Sequence, residues 1–246
     1  MFELLAQDRQ TKARRGRLTT AHGVIDTPAF IPVGTQGSVK AVSPRELREL
    51  DVQIILGNTY HLFVRPGIEV LRHFGGLHKF MNWNGPILTD SGGYQIFSLA
   101  KLRKITEEGV HFQNHIDGTP TFISPEIAMN IQTTLGSDIA MVLDECAPFP
   151  CEYDYAARSA EMTARWAKRC KVALASSQWN KKRHRHDACA TLLFGIVQGA
   201  TFEDLRRCSG QAIVDLDFDG YAIGGVSVGE PEQEMMRAVE SAEPCL

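Results

Sequence analysis

Five short apolar runs in this chain each end in a cluster of groups suited to chemistry. Gln53–Leu56 leads into Gly57-Asn58-Thr59-Tyr60-His61, and Ile87–Thr89 into Asp90-Ser91-Gly92-Gly93-Tyr94-Gln95. Ile139–Leu143 leads into Asp144-Glu145-Cys146, and Leu192–Val197 into Gln198-Gly199. Gly220–Ile223 leads into a loop from Gly224-Gly225 to Glu230. Carboxylates, carboxamides and close-packed glycines suit a flat polar ligand. A carboxylate such as Asp144 accepts from N–H donors, and the Gln198 amide or a backbone N–H beside Gly225 donates to a carbonyl. Glycine lets backbone and ligand approach closely. Tyr94 offers a stacking face, worth about 1–3 kcal/mol per base in single-strand binders. A guanine-like base has this polarity, with two kinds of donor beside one acceptor. The residue types alone do not select guanine over other ligands.

Elements of regular spacing must position these clusters. The runs are short, continuous and bounded by turn residues, as buried parallel strands are. Ala29–Val33 reads as a further strand before them. Helices are predicted between the strands. Ser43-Pro44-Arg45-Glu46 is a capping box with proline at the first helical position. Ser124-Pro125-Glu126 starts a helix that Gly136 ends, and Asp154–Ala175, Thr201–Val214 and Glu230–Ala242 read as three more. Lys101–Ile123 alternates, with turns at Gly109 and Asp117-Gly118, and reads as an inserted hairpin. Phe2–Ala6, Arg17–Thr20 and Gly23–Asp26 read as antiparallel β-hairpins.

About six βα units in succession imply a parallel sheet covered by helices. No GxGxxG follows the first strand and no Walker A motif occurs, which disfavours the doubly wound nucleotide folds. The expected class is α/β, of the (β/α)8 TIM-barrel type, incomplete, with an N-terminal antiparallel β-hairpin region, as a single domain over residues 1–246. In such barrels active sites lie at the C-terminal strand ends, where the clusters above fall.

The chain has 246 residues, 43% hydrophobic and 22% charged, an ordinary globular composition. Its net charge of -3 argues against a generally basic nucleic-acid binder, while leaving room for a local RNA site. No apolar run reaches the length of a membrane span, and Met1–Arg17 is too polar for a secretory signal. The six cysteines are scattered without zinc-site spacing, which predicts free thiols in the cytoplasm. The basic run Lys181–His186 reads as a solvated loop on the side of the strands away from the clusters.

From Arg14-Arg15-Gly16-Arg17 to Glu230 the chain resembles the tRNA-guanine transglycosylases, the queuine tRNA-ribosyltransferase family. The most specific stretches are Gln53–Leu62, Gly85–Gln95, Leu143–Cys146 and Phe218–Gly225. The resemblance implies exchange of the guanine at the wobble position of tRNA for a 7-deazaguanine. In the family one aspartate attacks ribose C1′ to form a covalent RNA–enzyme intermediate, and a second serves as general acid/base. Asp90 matches the second. Asp144, Gln198 and Gly225 match the base-reading residues. Ser91, Gly92, Gly93 and Tyr94 line the pocket, and Asn58 and Gln95 orient the carboxylates. A burial-raised pKa would suit the acid/base role of Asp90.

Cys146 and Val228 match bacterial members, which insert 7-aminomethyl-7-deazaguanine, and Glu230 would pair with that aminomethyl cation. Val226-Ser227 departs from the commoner Leu-Ala. The resemblance also implies homodimers, and a zinc ion whose Cys-x-Cys-x-x-Cys ligands have no counterpart in these 246 residues. The nucleophilic aspartate of the family likewise has none. This polypeptide alone is therefore expected to be inactive as a transferase. A non-catalytic accessory subunit and an unrelated barrel enzyme binding a purine-like ligand are the alternative readings.

Overall fold

A computed structural model describes residues 1–99, 101–182 and 191–246. Cys189 and most of the basic run at 181–186 therefore lie outside the described residues. At the N-terminus β1 (Phe2–Gln7), β2 (Arg14–Thr20) and β3 (Gly23–Thr27) form the expected antiparallel sheet in sequence order. Thr20 pairs with Gly23 across the β2–β3 turn, where Gly23 adopts φ +146°. Helix α1 (Pro44–Glu49) begins with the predicted capping box. Ser43 Oγ accepts from the Glu46 N–H, and the Glu46 carboxylate accepts from the Ser43 N–H at 2.7 Å.

After β4 (Ile55–Gly57) come three short helices that the periodicity did not reveal: α2 (Thr59–Leu62), α3 (Ile68–Phe74) and α4 (Leu77–Met81). A wide turn containing Pro66 separates the first two, and Gly75 and Gly76, both at positive φ, separate the last two. These breaks leave no segment long enough to show a helical period. Next are β5 (Ile87–Thr89) and α5 (Gly93–Leu99). The insertion contains three antiparallel strands, β6 (Lys101–Thr106), β7 (Gly109–Gln113) and β8 (Pro120–Ile123). The chain continues with α6 (Pro125–Leu135), β9 (Ile139–Met141), α7 (Tyr153–Lys182) and β10 (Leu192–Val197). It closes with α8 (Glu203–Val214), β11 (Gly220–Ile223) and α9 (Glu232–Ala242).

One predicted strand is absent. Ala29–Val33 makes only a single parallel bridge, from Val33 to Leu56. Pro28 and Pro32 have no N–H, so the ladder cannot extend through them. The bridge region keeps two bonds, Leu56 N–H to Pro32 O at 3.0 Å and Gly34 N–H to Leu56 O at 2.6 Å. The described residues thus hold five parallel strands rather than six.

Two compact units make up the chain. The first comprises Met1–Asp90, Asn130–Ala140 and Ser177–Leu192. Within it β4, β5 and the start of β9 run parallel in that order, with Ile55 opposite Ile87 and Leu88 opposite Ile139. Ile54, Ile55, Leu62, Leu71, Leu77, Ile87 and Leu135 are fully buried there, each worth about 1.5–3 kcal/mol of burial. Asp138, at the foot of β9, joins three separate stretches of this unit. Its carboxylate accepts from the His22 N–H at 3.1 Å, the Ile87 N–H at 2.9 Å and the rings of His22 (2.8 Å) and His78 (3.1 Å).

The second unit comprises Ser91–Met129, Met141–Ser176 and Leu193–Leu246. Within it β10 and β11 pair in parallel, Val197 opposite Ile223. Val142, Leu143, Trp166, Ala167, Val197 and Ile213 are buried. The β6–β7 turn is fastened to α7. Arg165 grips Glu107 with two bonds of 2.9 Å, and Trp166 Nε1 donates to Glu107 O at 2.8 Å. Arg169 holds Glu126 with two bonds of 2.8 Å and also donates to the carbonyls of Glu107 and Glu108.

Candidate functional site

In the first unit the loop after β4 meets the end of β5. Asn58 Nδ2 donates to Asp90 Oδ2 at 2.5 Å, and the Thr59 N–H donates to Asp90 Oδ1 at 2.8 Å. Thr59 Oγ1 adds a bond to Asp90 O at 2.6 Å. Both carboxylate oxygens are thus oriented, and Asn58 holds Asp90 as the sequence suggested. Thr59 is a partner the sequence reading missed. It is a small hydroxyl residue at a helix start, where the free N–H groups of the first turn face outward.

In the second unit Asp144 sits at the centre of a compact set. Its Oδ1 accepts from Ser91 Oγ at 2.6 Å and its Oδ2 from Gln198 Nε2 at 2.6 Å. Ser91 Oγ in turn accepts from the Gly93 N–H at 3.0 Å. A Cβ on Gly93 would lie 2.4 Å from Asp144 O, so only glycine permits this approach. Burial pushes the Asp144 carboxyl above its usual value, the Ser91 and Gln198 bonds oppose that, and the neighbouring Glu145 adds to it. Asp144, which the resemblance matches to base reading, thus has its carboxyl raised by burial.

Gln198 closes the set from the end of β10. Its N–H donates to Ser209 Oγ at 3.0 Å, while its side-chain Oε1 is buried without a partner among the described residues. The Gly224-Gly225 turn packs against it. A Cβ on Gly225 would lie 2.3 Å from Gln198 Oε1, and one on Gly224 would lie 2.5 Å from Ile196. Gly225 also takes φ +60°, which glycine adopts at no steric cost. Tyr94, in the first turn of α5, is 45% exposed. Gln95 follows it, half-buried, and Gly92 turns the chain at φ +82°.

Two further groups behave differently from their sequence expectation. Glu230 spends both oxygens on its own loop, accepting from the N–H of Ser227 and of Val228 (2.8 Å). Burial raises its carboxyl, but the backbone donors of the loop, its own N–H first and then those of Val228, Ser227 and Gly229, outweigh burial and hold it below the usual value. It is therefore a loop cap in this conformation, and its second role would have to share these oxygens. Cys146 is buried, and burial with the charges of Asp144 and Glu145 pushes its thiol up to about 12, so it is no nucleophile at neutral pH.

The residue that sequence reasoning overlooked is Arg206. It is fully buried in α8, and its partners are all carbonyls. Nε donates to Ala200 O at 2.7 Å and Nη1 to Val197 O at 3.1 Å and Gly224 O at 2.5 Å. Nη2 donates to Gly225 O at 2.9 Å. The signal was present in the helix face Arg206, Ser209, Gly210, Ile213, an i, i+3, i+4, i+7 stripe that begins with an arginine.

Among the described residues His22, His78 and Asp138 form the one group of three metal-ligand types close together, with ligand atoms within 4.8 Å. Its geometry does not fit an ion. The two imidazoles stack, with centroids 3.7 Å apart and planes 22° apart. A ring nitrogen binds a metal in its own plane, so stacked rings direct their lone pairs side by side instead of at one point. The described cysteines gather no such set either, with Cys146 and Cys170 buried and Cys208 exposed. Among the described residues, none of these groups fits the zinc that the resemblance implies.

Within the second unit a carboxylate, a carboxamide and paired glycines follow the strands of a mixed α/β scaffold, where α/β proteins commonly place their sites. A family model described as "TGT: Queuine tRNA-ribosyltransferase" matches residues 8–246, and the chain belongs to that family. It is 56% identical over 246 residues to the queuine tRNA-ribosyltransferase of Desulforudis audaxviator, with 100% of this chain and 63% of the relative covered. It is 57% identical over 245 residues to that of Symbiobacterium thermophilum, covering 58% of it, and 54% identical to that of Pelotomaculum thermopropionicum, covering 63%. The chain therefore spans about three-fifths of the length of these relatives.

Proposed function

We propose that this chain is the base-binding and acid/base part of a bacterial-type tRNA-guanine transglycosylase. In this reading the enzyme is a pentosyltransferase that replaces the wobble guanine of tRNA with 7-aminomethyl-7-deazaguanine. Its scaffold is a barrel of the (β/α)8 type in one domain, and it works in the cytoplasm as a homodimer.

Asp90 is the general acid/base. As the bond from ribose C1′ to guanine breaks and a carboxylate oxygen bonds to C1′, Asp90 gives its proton to the departing guanine. It recovers a proton from the incoming base as that base displaces the carboxylate. Asn58 and Thr59 keep the carboxyl oriented through both half-reactions. Asp144 accepts from the N–H edge of the base. Gln198 donates to the base carbonyl with the amide hydrogen that Asp144 does not take, alongside the backbone at Gly225. Tyr94 stacks on the base, Ser91, Gly92 and Gly93 shape the floor, Gln95 supports the carboxylates, and Glu230 meets the aminomethyl group. No step is assigned to zinc.

The observation that carries this reading is the Asp144 set. A buried carboxylate is held by Ser91 and Gln198 against a glycine with no room for a Cβ. The test is incorporation of labelled guanine into tRNA by the full-length protein containing this chain. Incorporation is expected, and its absence in the wild-type protein overturns the reading.

A further inference from the structure

Arg206 is an unusual residue to bury. A guanidinium removed from water needs either a carboxylate or enough carbonyls to replace its hydration. No carboxylate lies within ion-pair distance among the described residues, and four carbonyls take its place: Val197, Ala200, Gly224 and Gly225. Val197 ends β10 and Ala200 lies in the loop after it, on either side of Gln198, and the other two belong to the turn after β11. The side chain therefore ties the end of β10 and the loop after it to the turn after β11, which together carry Gln198 and Gly225.

Peptide geometry gives this tie a direction. In a planar trans peptide the C=O of one residue points opposite to the N–H of the next. Arg206 holds the Gly224 and Gly225 carbonyls toward itself, so the N–H groups of Gly225 and Val226 point away from it. Neither N–H has an acceptor among the described residues. Two successive backbone donors aimed the same way, around a glycine at φ +60°, make a concavity for an electron-rich oxygen. Building such a pair without the clamp would leave both peptides free to rotate, because glycine restrains neither side.

We infer that Arg206 is a positioning residue that locks the Gly224–Val226 peptides so that two backbone N–H groups receive the carbonyl oxygen of the bound base. The inference rests on the base-binding reading above. It assigns Arg206 no contact with the base and no proton transfer. The planar fork is essential to it, since a lysine keeps the charge but cannot span four acceptors on two loops.

The test uses the full-length protein with guanine as the probe. In Arg206→Lys the dissociation constant for guanine, and KM for the incoming base, rise about tenfold or more. The affinity for tRNA and the pH profile of kcat stay as in the wild type, which a general loss of structure would not allow. Wild-type protein bearing 15N-labelled backbone offers a measurement independent of any variant. Guanine is expected to shift the amide resonances of both Gly225 and Val226, and 2-aminopurine, which lacks the carbonyl, to leave them in place. Unchanged guanine affinity in the lysine variant, or equal amide shifts with both bases, overturns the role of Arg206 alone. Wild-type protein that binds no guanine overturns the base-binding reading together with it.

Discussion

Asp90 and Asp144 have the same side chain, and their surroundings fit them for different work. Asp90 is half-buried and takes directed bonds on both oxygens, an arrangement that fixes its orientation. Asp144 is buried and its carboxyl is raised. Asp90→Asn keeps the shape and removes the proton that the proposed function has it transfer. Guanine exchange by the full-length protein should fall by about 10²–10⁴-fold, while guanine binding, followed by calorimetry, stays within a few-fold of the wild type. For Asp144 the pH sign follows from the shift. In the proposed function ionised Asp144 accepts from the base, and burial raises its carboxyl above 3.8. Base affinity should therefore decline on the acid side at a pH above that ordinary value, and a titration of guanine affinity against pH that stays level down to 3.8 contradicts the assignment. Gly93→Ala places a Cβ 2.4 Å from a backbone oxygen, which cannot yield as a side chain would. A loss of about 1–3 kcal/mol in urea unfolding is expected, together with weakened base binding.

The site was more legible at this scale than the scaffold, for a physical reason. Its glycines, carboxylates and amides stand in unbroken runs such as Gly85–Gln95, where close approach forbids substitution of one type for another. Arg206 was not legible because an arginine inside a helix normally points to water. Only its place at the head of a buried stripe marked it as different. The second commitment of Glu230, to its own loop, depends on backbone directions that residue types do not report.

Among the elements, those with explicit end signals were readable and those without were not. The serine caps at Ser43 and Ser124 predicted α1 and α6, and Gly136 at φ +75° ended the latter as expected. The helices between Thr59 and Met81 were hidden because Pro66, Gly67, Gly75 and Gly76 cut the segment into pieces of one or two turns. Val33 gave a bridge instead of a strand because prolines removed the donors around it. The fastening of the β6–β7 turn to α7 supplies an element-level prediction. The Arg169 guanidinium, followed by the Ser124 hydroxyl, holds the Glu126 carboxyl at about 2 against an ordinary 4.5. A depressed acid stabilises the fold above its unfolded value and ceases to do so as pH falls through its folded value. The contribution of this pair is thus complete above pH 4.5 and disappears between 4.5 and about 2. Arg169→Ala should flatten the pH dependence of stability in that window, measured by denaturation from pH 6 to 2.

For the molecule as a whole, the family assignment rests on a match that runs through nearly all of the chain, while the chain spans about three-fifths of its curated relatives. Activity is accordingly a property to be measured on the full-length protein, and the residue predictions above are set in it. A parallel α/β architecture was legible from alternation of strand and helix signals. The pairing of distant segments was not, since no local pattern tells residue 22 that its partner is residue 138.

That pairing has a consequence for the order in which the chain assembles. The contact between His22 and Asp138 spans 116 residues. Closing a loop of that length costs on the order of 4 kcal/mol of chain entropy, and the local hairpins and helices close first because their loops are short. During synthesis the β2–β3 turn must wait for the residue that will anchor it, with His22 and its backbone donor meanwhile served by water. We expect the Asp138 contact to form late, after the transition state for folding. Replacing Asp138 with alanine should remove about 3 kcal/mol of stability by leaving its donors unmatched. In stopped-flow measurements that loss should appear almost entirely as faster unfolding, with the refolding rate nearly unchanged.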